Sequence, residues 1–233
     1  MLSRILIHSK NFYIFLKWVF YEYDDFKVFL ESQGYYSILF CRVWLWGKDS
    51  KYFKVFNDRG EPFFLKVKRS ENIKCESLIL KKMSSNSSNS YNFYPKIYDS
   101  NIGCFSYNIY EDIKGVHIKK FSGDKINIIN QIIRILKVFR SKNIVHRDVR
   151  PHNIVIANGV LKLLDYEHCA LDNKTIIKDA NLNKEYRTSE FVWDDAFSFK
   201  KIVDQYLADN QVIKSQAYKK LNSMVGEYEY IEK

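Results

Sequence analysis

Within eight consecutive positions, 146–153, the chain places His146, Arg147, Asp148, Arg150, His152 and Asn153, with Pro151 among them. Short apolar runs bracket this cluster in the stretch IVHRDVRPHNIVI, Ile144 to Ile156. A second carboxylate, Asp165, follows seventeen residues after Asp148. Two carboxylates and the Asn153 amide are hard oxygen donors. They suit a cation such as Mg²⁺, which binds through few carboxylates together with substrate phosphates. A carboxylate that does not ligate metal can instead take a proton from an attacking hydroxyl, and Asp148 is placed for that role.

The elements that must position these residues are readable from pattern. NIVI and VLKLLD are short apolar strands around Asn158-Gly159, a strong hairpin signal. Such a hairpin brings the loop before it and Asp165 after it to neighbouring places. Upstream, GDKINIINQIIRILKVFRSKN has Ile129, Ile132, Ile133 and Leu136 at helical spacing, with Asp124 as cap. Downstream, the sequence is irregular until WDDAFSFKKIVDQYLAD, which reads as helix. Nearer the N-terminus, Ile38–Trp46, Tyr52–Phe56 and Pro62–Lys68 read as an antiparallel meander separated by GKDS and NDRGE. SENIKCESLILKKM follows as a helix with Ser70 as N-cap. MSSNSSNSYN, Met83 to Asn92, reads as an exposed loop, and YPKIYDS and CFSYNIYEDI as further strands. The character changes near Lys114-Gly115. The expected organisation is an N-terminal extension over 1–34, a strand-rich part with one helix over 35–114, and a mainly helical part over 115–233.

With 233 residues, 46% of them hydrophobic, the chain can bury a sizeable core in one large domain or a two-lobed one. Its 17 Tyr, 17 Phe and 4 Trp argue against disorder. The net charge of +10 favours anionic partners. Nucleic acid is set aside, because the lysines are spread through the chain and no recognised nucleic-acid motif accompanies them. The cysteines, Cys41, Cys75, Cys104 and Cys169, form no CxxC pair, which fits a reducing, cytoplasmic setting. Lys10 and Lys17 interrupt the early apolar stretch, so no signal peptide is expected there. That stretch, NFYIFLKWVFYEY, reads as a buried helix or strand, or as a segment lying on the cytoplasmic face of an inner membrane.

HRDVRPHN resembles the catalytic loop of the protein-kinase-like fold, H-R-D-x-x-x-x-N, with the family's spacing from Asp148 to Asn153. LLDYEHC resembles the metal-binding segment that follows it. FFLKV resembles the third strand of that fold, whose lysine contacts nucleotide phosphates. The resemblance assigns this role to Lys66, with Lys68 as competitor, and the ion-pair partner to Glu76, with Glu71 as competitor. EDIKG sits where the two lobes are hinged and backbone groups receive adenine, which points to Glu111. Gly47 is the one glycine between the first two strands, where a glycine-rich loop normally covers phosphates. YRTSE resembles the end of an activation segment, and DDAFSF the start of the helix whose Asp195 braces the catalytic loop. The match spans roughly Ile38 to Leu207. It implies an α+β, two-lobed protein-kinase-like fold, with an antiparallel β lobe carrying one helix and a short, mainly helical second lobe. It also implies ATP and Mg²⁺ as cofactors, Asn153 and Asp165 as metal ligands, Asp148 as base, and Arg150 as the cation on the transferring phosphoryl group.

Two departures bear on the acceptor. Glu167 stands where protein kinases carry the glycine of D-F-G, as in small-molecule kinases such as choline and aminoglycoside kinases. Only 26 residues follow Leu207, fewer than the helices that support peptide substrates in protein kinases. Both favour a sugar hydroxyl of lipopolysaccharide or another bacterial surface glycan, as in bacterial kinases of the lipopolysaccharide core. The alternatives are a Ser/Thr protein kinase, favoured by HRD and TSE, and a non-catalytic pseudokinase, favoured by the solitary Gly47. In protein kinases the arginine before the catalytic Asp often meets a phosphorylated activation loop. Here Arg147 has Thr175, Thr188 and Ser189 in the matching segment, or a local carboxylate, as its partner.

Overall fold

Strict alternation along 51–57 buries Lys51, Phe53 and Val55 on one face of a strand and leaves their neighbours half-buried, the period-2 pattern of a sheet with one side on a core. In a computed structural model that describes residues 2–85, 92–179 and 181–232, with side chains from Ser9 onward, this strand lies within a five-stranded antiparallel sheet. The chain divides into two units, Met1–Ser77 with Lys96–Ile113, and Leu78–Pro95 with Lys114–Lys233. Its mixed strands and helices are those of the expected α+β class.

The first unit opens with helices α1 (Leu2–Tyr21) and α2 (Tyr23–Ser32). Strands β1 (Tyr35–Cys41), β2 (Lys51–Asn57) and β3 (Pro62–Val67) follow, then helix α3 (Ser70–Ser84), which belongs to this unit as far as Ser77. Strands β4 (Ile97–Asn101) and β5 (Tyr107–Glu111) complete a sheet of order β1-β2-β3-β5-β4. The expected N-terminal extension is thus mainly helical over 2–32, and its helices contribute to this unit's core. Trp18, Phe26 and Leu30 are buried with Trp46, Phe53, Val55, Leu65, Tyr107 and Ile109. The Trp18 ring meets Phe26 edge-on at 5.3 Å and Trp46 at 5.5 Å, the arrangement favoured by aromatic quadrupoles. Phe12, Tyr13, Phe20 and Tyr21 of α1 stay exposed. Among the described residues no helix is long and apolar enough to cross a membrane.

The first expected strand is too long. It ends at Cys41, because Arg42 turns to φ +50° and Val43–Leu45 form a 3-10 turn. Trp46 then buries its ring and donates its indole N–H to the Cys41 carbonyl at 2.9 Å. The loop expected from Met83 starts late, since α3 runs to Ser84 with Met83 buried, and residues 86–91 of that stretch lie outside the described residues.

The second unit contains β6 (Val116–His117), α4 (Lys125–Ser141), β7 (Ile144–Val145), β8 (Ile154–Ala157) and β9 (Val160–Leu163). It continues through β10 (Ala170–Leu171), β11 (Lys174–Thr175), β12 (Val192–Trp193) and α5 (Asp195–Tyr206). After Leu207 come α6 (Asn210–Lys214), α7 (Gln216–Met224) and β13 (Tyr230–Ile231). The Asp124 carboxylate caps α4 by accepting from the Asn127 N–H at 2.9 Å. One face of α4 then buries Ile128, Ile129, Ile132, Ile133, Ile135, Leu136 and Phe139. Asn158 and Gly159 both take positive φ, 51° and 76°, so the β8–β9 hairpin closes as the Asn-Gly pair requires. Gly115 is required where β6 meets β8, because a Cβ there would lie 2.6 Å from the Ile156 carbonyl oxygen.

Candidate active site

In the first unit, β3 lies between β2 and β5, and Lys66 pairs in register with Tyr52 and Asn108. Strand alternation sends Phe63 and Leu65 into the aromatic core and Lys66 to the other face. There Lys66 Nζ meets Glu76 Oε2 of α3 at 3.0 Å, with both side chains buried. A buried charge is tolerated only when paired, and each of these two supplies the other's counter-charge. Burial, helped by the nearby Glu76, holds the Tyr110 hydroxyl well above the usual phenol range, so it stays neutral. It accepts from Asn108 Nδ2 at 2.9 Å, and Asn108 Oδ1 accepts from Ser77 at 2.7 Å. The two competitors lie elsewhere. Lys68 falls beyond the end of β3, and Glu71 is exposed, with Arg69 at 4.0 Å.

The segment holding Gly47 is a tight turn, not an open glycine loop. Gly47 and Ser50 bridge through their backbones, and a Cβ at Gly47 would sit 3.1 Å from Ser50 Oγ. Lys51 is buried, donates to the Lys48 carbonyl at 3.3 Å and lies over the Trp18 ring. That burial lowers its pKa. Glu111, at the end of β5, uses its N–H on the Lys96 carbonyl at 3.1 Å and its carboxylate on the Lys96 N–H at 3.1 Å. Its neighbour Asp112 is held by Lys54 at 2.6 Å.

In the second unit, the loop between β7 and β8 is fixed from below by α5. Asp195 accepts the His146 N–H at 2.6 Å and the Arg147 N–H at 3.1 Å. Burial pushes the Asp195 carboxyl up to about 7, and the two N–H donors pull it back. His146 is enclosed, and burial drives its pKa down to about 3, so the ring is neutral. Its Nδ1 accepts the Asp148 N–H at 3.3 Å. Asn183, which the sequence pattern did not single out, donates to the carbonyls of Arg147 and Val149 at 3.2 Å each.

Asp148, Arg150 and Asn153 are brought together. Asn153 Nδ2 donates to Asp148 Oδ2 at 2.9 Å and to its carbonyl at 3.0 Å. Arg150 Nη2 lies 3.2 Å from the same Oδ2, with the Arg150 side chain 44% exposed and that of Asp148 1%. Asp148 Oδ1 is buried with no hydrogen-bond donor among the described residues. Burial pushes the Asp148 carboxyl up to about 6, with Arg150 opposing the rise and Asp165 adding to it. A carboxylate so raised is a better base than an ordinary one.

The β8–β9 hairpin delivers Asp165 to this group. Ile154 pairs with Leu163, and the Leu164 N–H continues the ladder to the Asn153 carbonyl at 2.8 Å. Asp165 then takes φ +68° and opens a 3-10 turn over Tyr166–His168. Carboxylate oxygens of Asp165 and Glu167 lie within 4.8 Å of each other. Glu167 is buried and joins the candidate ligands; its acidic character at the third position of the D-Y-E segment was the only sequence signal. With Asn153 Nδ2 committed to Asp148, its Oδ1 remains to ligate. Asn153, Asp165 and Glu167 therefore offer an all-oxygen donor set that fits Mg²⁺.

Arg147 takes φ +67° and is wholly buried, yet it does not reach into the donor set. Its guanidinium is paired with Glu232 at 2.9 Å. The carboxylate partner is therefore 85 residues away in sequence and not local, and nothing in the sequence around Arg147 marks it.

Residues 55–208 match the protein kinase domain family. The serine/threonine-protein kinase KSP1 of Saccharomyces cerevisiae is 29% identical over 105 residues, covering 44% of this chain and 10% of that protein. The serine/threonine-protein kinase atg1 of Dictyostelium discoideum is 28% identical over 145 residues, covering 52% of this chain and 21% of that protein. The chain thus corresponds to a minor part of the length of either relative. The family match begins after the turn that holds Gly47 and takes in Lys66, Glu76, Glu111, Asp148, Arg150, Asn153 and Asp165. Covering well over half of the 233 residues, it shows that the chain belongs to the protein kinase domain family.

Proposed function

We propose that this chain is a phosphotransferase that moves the terminal phosphoryl group of ATP to a hydroxyl, and that the acceptor is a serine or threonine of a protein. The observation that carries the reading is the enclosed Asp148 carboxylate, held by Asn153 and Arg150 with one oxygen unpartnered among the described residues. Both curated relatives are serine/threonine-protein kinases by name, which supports this acceptor over the glycan expected from Glu167.

In this reading Lys66, paired with and oriented by Glu76, binds nucleotide phosphates. Asn153, Asp165 and Glu167 would hold Mg²⁺, which when bound neutralises phosphate charge and orients the transferring group. Asp148 orients the acceptor hydroxyl and takes its proton late, since positioning and electrostatics dominate phosphoryl transfer. Arg150, half exposed beside Asp148, supplies positive charge toward the transferring oxygens. The turn at Gly47 offers side chains in place of a backbone cradle, with Lys48 and Ser50 as the phosphate-facing candidates.

A sugar hydroxyl of lipopolysaccharide or another surface glycan is the second reading. Buried Glu167 favours it, because an acidic residue at that position is the feature shared with small-molecule kinases. The exposed aromatic face of α1, with Lys10 and Lys17 in the same helix, would support contact with an anionic membrane in that setting. Labelled ATP offered separately to a protein mixture and to purified cell-envelope glycan distinguishes the acceptors. Transfer to serine or threonine supports the first reading. Transfer to glycan alone replaces it with the second, and transfer to neither, under conditions where the protein is folded, overturns both.

A further inference from the structure

Both terminal nitrogens of Arg147, next to the candidate base, are gripped by groups from distant parts of the second unit. Its Nη1 donates to the carbonyls of His168 and Ile177, each at 3.1 Å, and its Nη2 meets Glu232 Oε1 at 2.9 Å. The guanidinium carbon lies 4.3 Å from the Trp193 ring centroid and 5.6 Å from that of Tyr230. Trp193 and Tyr230 are themselves a register pair of the β12–β13 ribbon. The Glu232 N–H donates to the Phe191 carbonyl at 3.0 Å, so the ribbon carries Glu232 to its position. Thr175 Oγ1 also donates to Glu232 Oε1, at 3.1 Å. One carboxylate therefore joins the segment after β10, the loop that carries Asp148, and the ribbon formed by β12 and β13. The Arg147 side chain is 0% exposed and that of Glu232 5%. Charged pairs so enclosed, with several hydrogen bonds to each end, specify one arrangement of the segments they join.

We propose that β13 with Glu232 is an intramolecular latch: Glu232 is a positioning residue that holds Asp148 in place through Arg147. It supplies the anion opposite that arginine, so the loop is set without phosphorylation of the segment between Thr175 and Ser189. The kinetic half of this proposal rests on the phosphotransferase reading above; the structural half does not.

The test compares wild type with Glu232→Gln, which keeps size and hydrogen bonding but removes the charge, and with Glu232→Asp. All three are treated with phosphatase and checked for a cooperative melt. Hydrogen exchange is followed in peptides covering 144–149 and 174–177. Steady-state phosphotransfer is measured on the same samples. The expected result is faster exchange in both peptides of Glu232→Gln, with Glu232→Asp nearer to wild type. Turnover should fall roughly tenfold or more in Glu232→Gln, with KM for ATP within about twofold, because small displacements of a positioned group act on the transition state. Phosphatase-treated wild type should keep its turnover. Unchanged exchange and turnover in Glu232→Gln would overturn the latch, as would loss of wild-type turnover on phosphatase treatment. If no form transfers phosphate even before phosphatase, the phosphotransferase reading fails, and exchange alone decides whether Glu232 holds the loop. Should Glu232→Gln fail to melt cooperatively, Thr175→Val, which removes one donor to Glu232 Oε1, replaces it: faster exchange at 174–177 is expected, and unchanged exchange in both peptides overturns the latch.

Discussion

At the scale of single residues, the enclosure that suits Asp148 to the proposed role of base also makes it a liability for folding. Its carboxyl rises from 3.8 to about 6 on folding, chiefly through burial. A raised carboxyl pKa means that the folded state prefers the neutral form. The residue therefore costs nothing well below its unfolded pKa, and it costs stability as pH rises from about 4 through about 6. At one pKa unit per 1.36 kcal/mol the cost reaches at most about 3 kcal/mol above pH 6. Asp148→Asn should abolish transfer and, without nucleotide or metal, raise the melting temperature at pH 8 while leaving it near wild type at pH 4. An equal gain at both pH values would assign the effect to something other than charge. In wild type, kcat/KM should rise along an acid limb centred near pH 6 as Asp148 ionises. Lys66 carries the opposite lesson. Lys66→Met strands buried Glu76, which should cost roughly 3–5 kcal/mol of unfolding free energy. Adding Glu76→Gln should recover most of that stability in chemical denaturation without restoring activity.

At the scale of elements, what was legible in the sequence is what local pattern decides. Asn158-Gly159 closed the β8–β9 hairpin because two positive φ values suit that pair, and the hairpin's register fixes Asn153 beside Asp165. Asp124 and four apolar residues at helical spacing marked α4. The Lys66–Glu76 pair was legible by family resemblance, although Lys68 and Glu71 competed on spacing alone. Burial and strand ends, which spacing does not encode, separate them. β1 was read too far because Val43–Leu45 is as apolar as a strand, and only the backbone turn at Arg42 ends it. The place of α1 was legible only as one of two alternatives, a buried helix or strand against a segment on a lipid surface, since an aromatic helix suits both; Trp18 lies in the buried cluster. Glu232 was not legible, because its contact with Arg147 joins segments that no local pattern links. Trp18 gives the extension a measurable role. Trp18→Ala removes a buried ring packed on Phe26, Trp46 and Phe53, and should lower stability by roughly 3–5 kcal/mol in urea unfolding. A loss near zero would make α1 an appendage of the first unit.

At the scale of the whole molecule, the net charge of +10 complicates any binding assay for nucleotide. A basic surface attracts polyanions of every kind, and ATP without metal is one of them. Specific binding has a different signature in the proposed reading, where Asn153, Asp165 and Glu167 would act only through a divalent ion. A ligand bound only by the folded state stabilises by about 2.7 kcal/mol at a hundred times its Kd, which a thermal melt resolves. Mg-ATP should therefore raise the melting temperature at 0.3 M salt, whereas ATP with chelator should lose most of its effect as salt screens exposed charge over a Debye length below about 8 Å. Asp165→Ala should remove the Mg-dependent part, and Asp148→Asn should keep it while failing to turn over. That pair of results separates an enzyme from a binding module. A chain that shows no Mg-dependent shift at millimolar nucleotide would be a non-catalytic member of the family, its turn at Gly47 too closed to admit phosphates. A chain that shifts in wild type and Asp148→Asn but turns over only in wild type uses its enclosed carboxylate for chemistry.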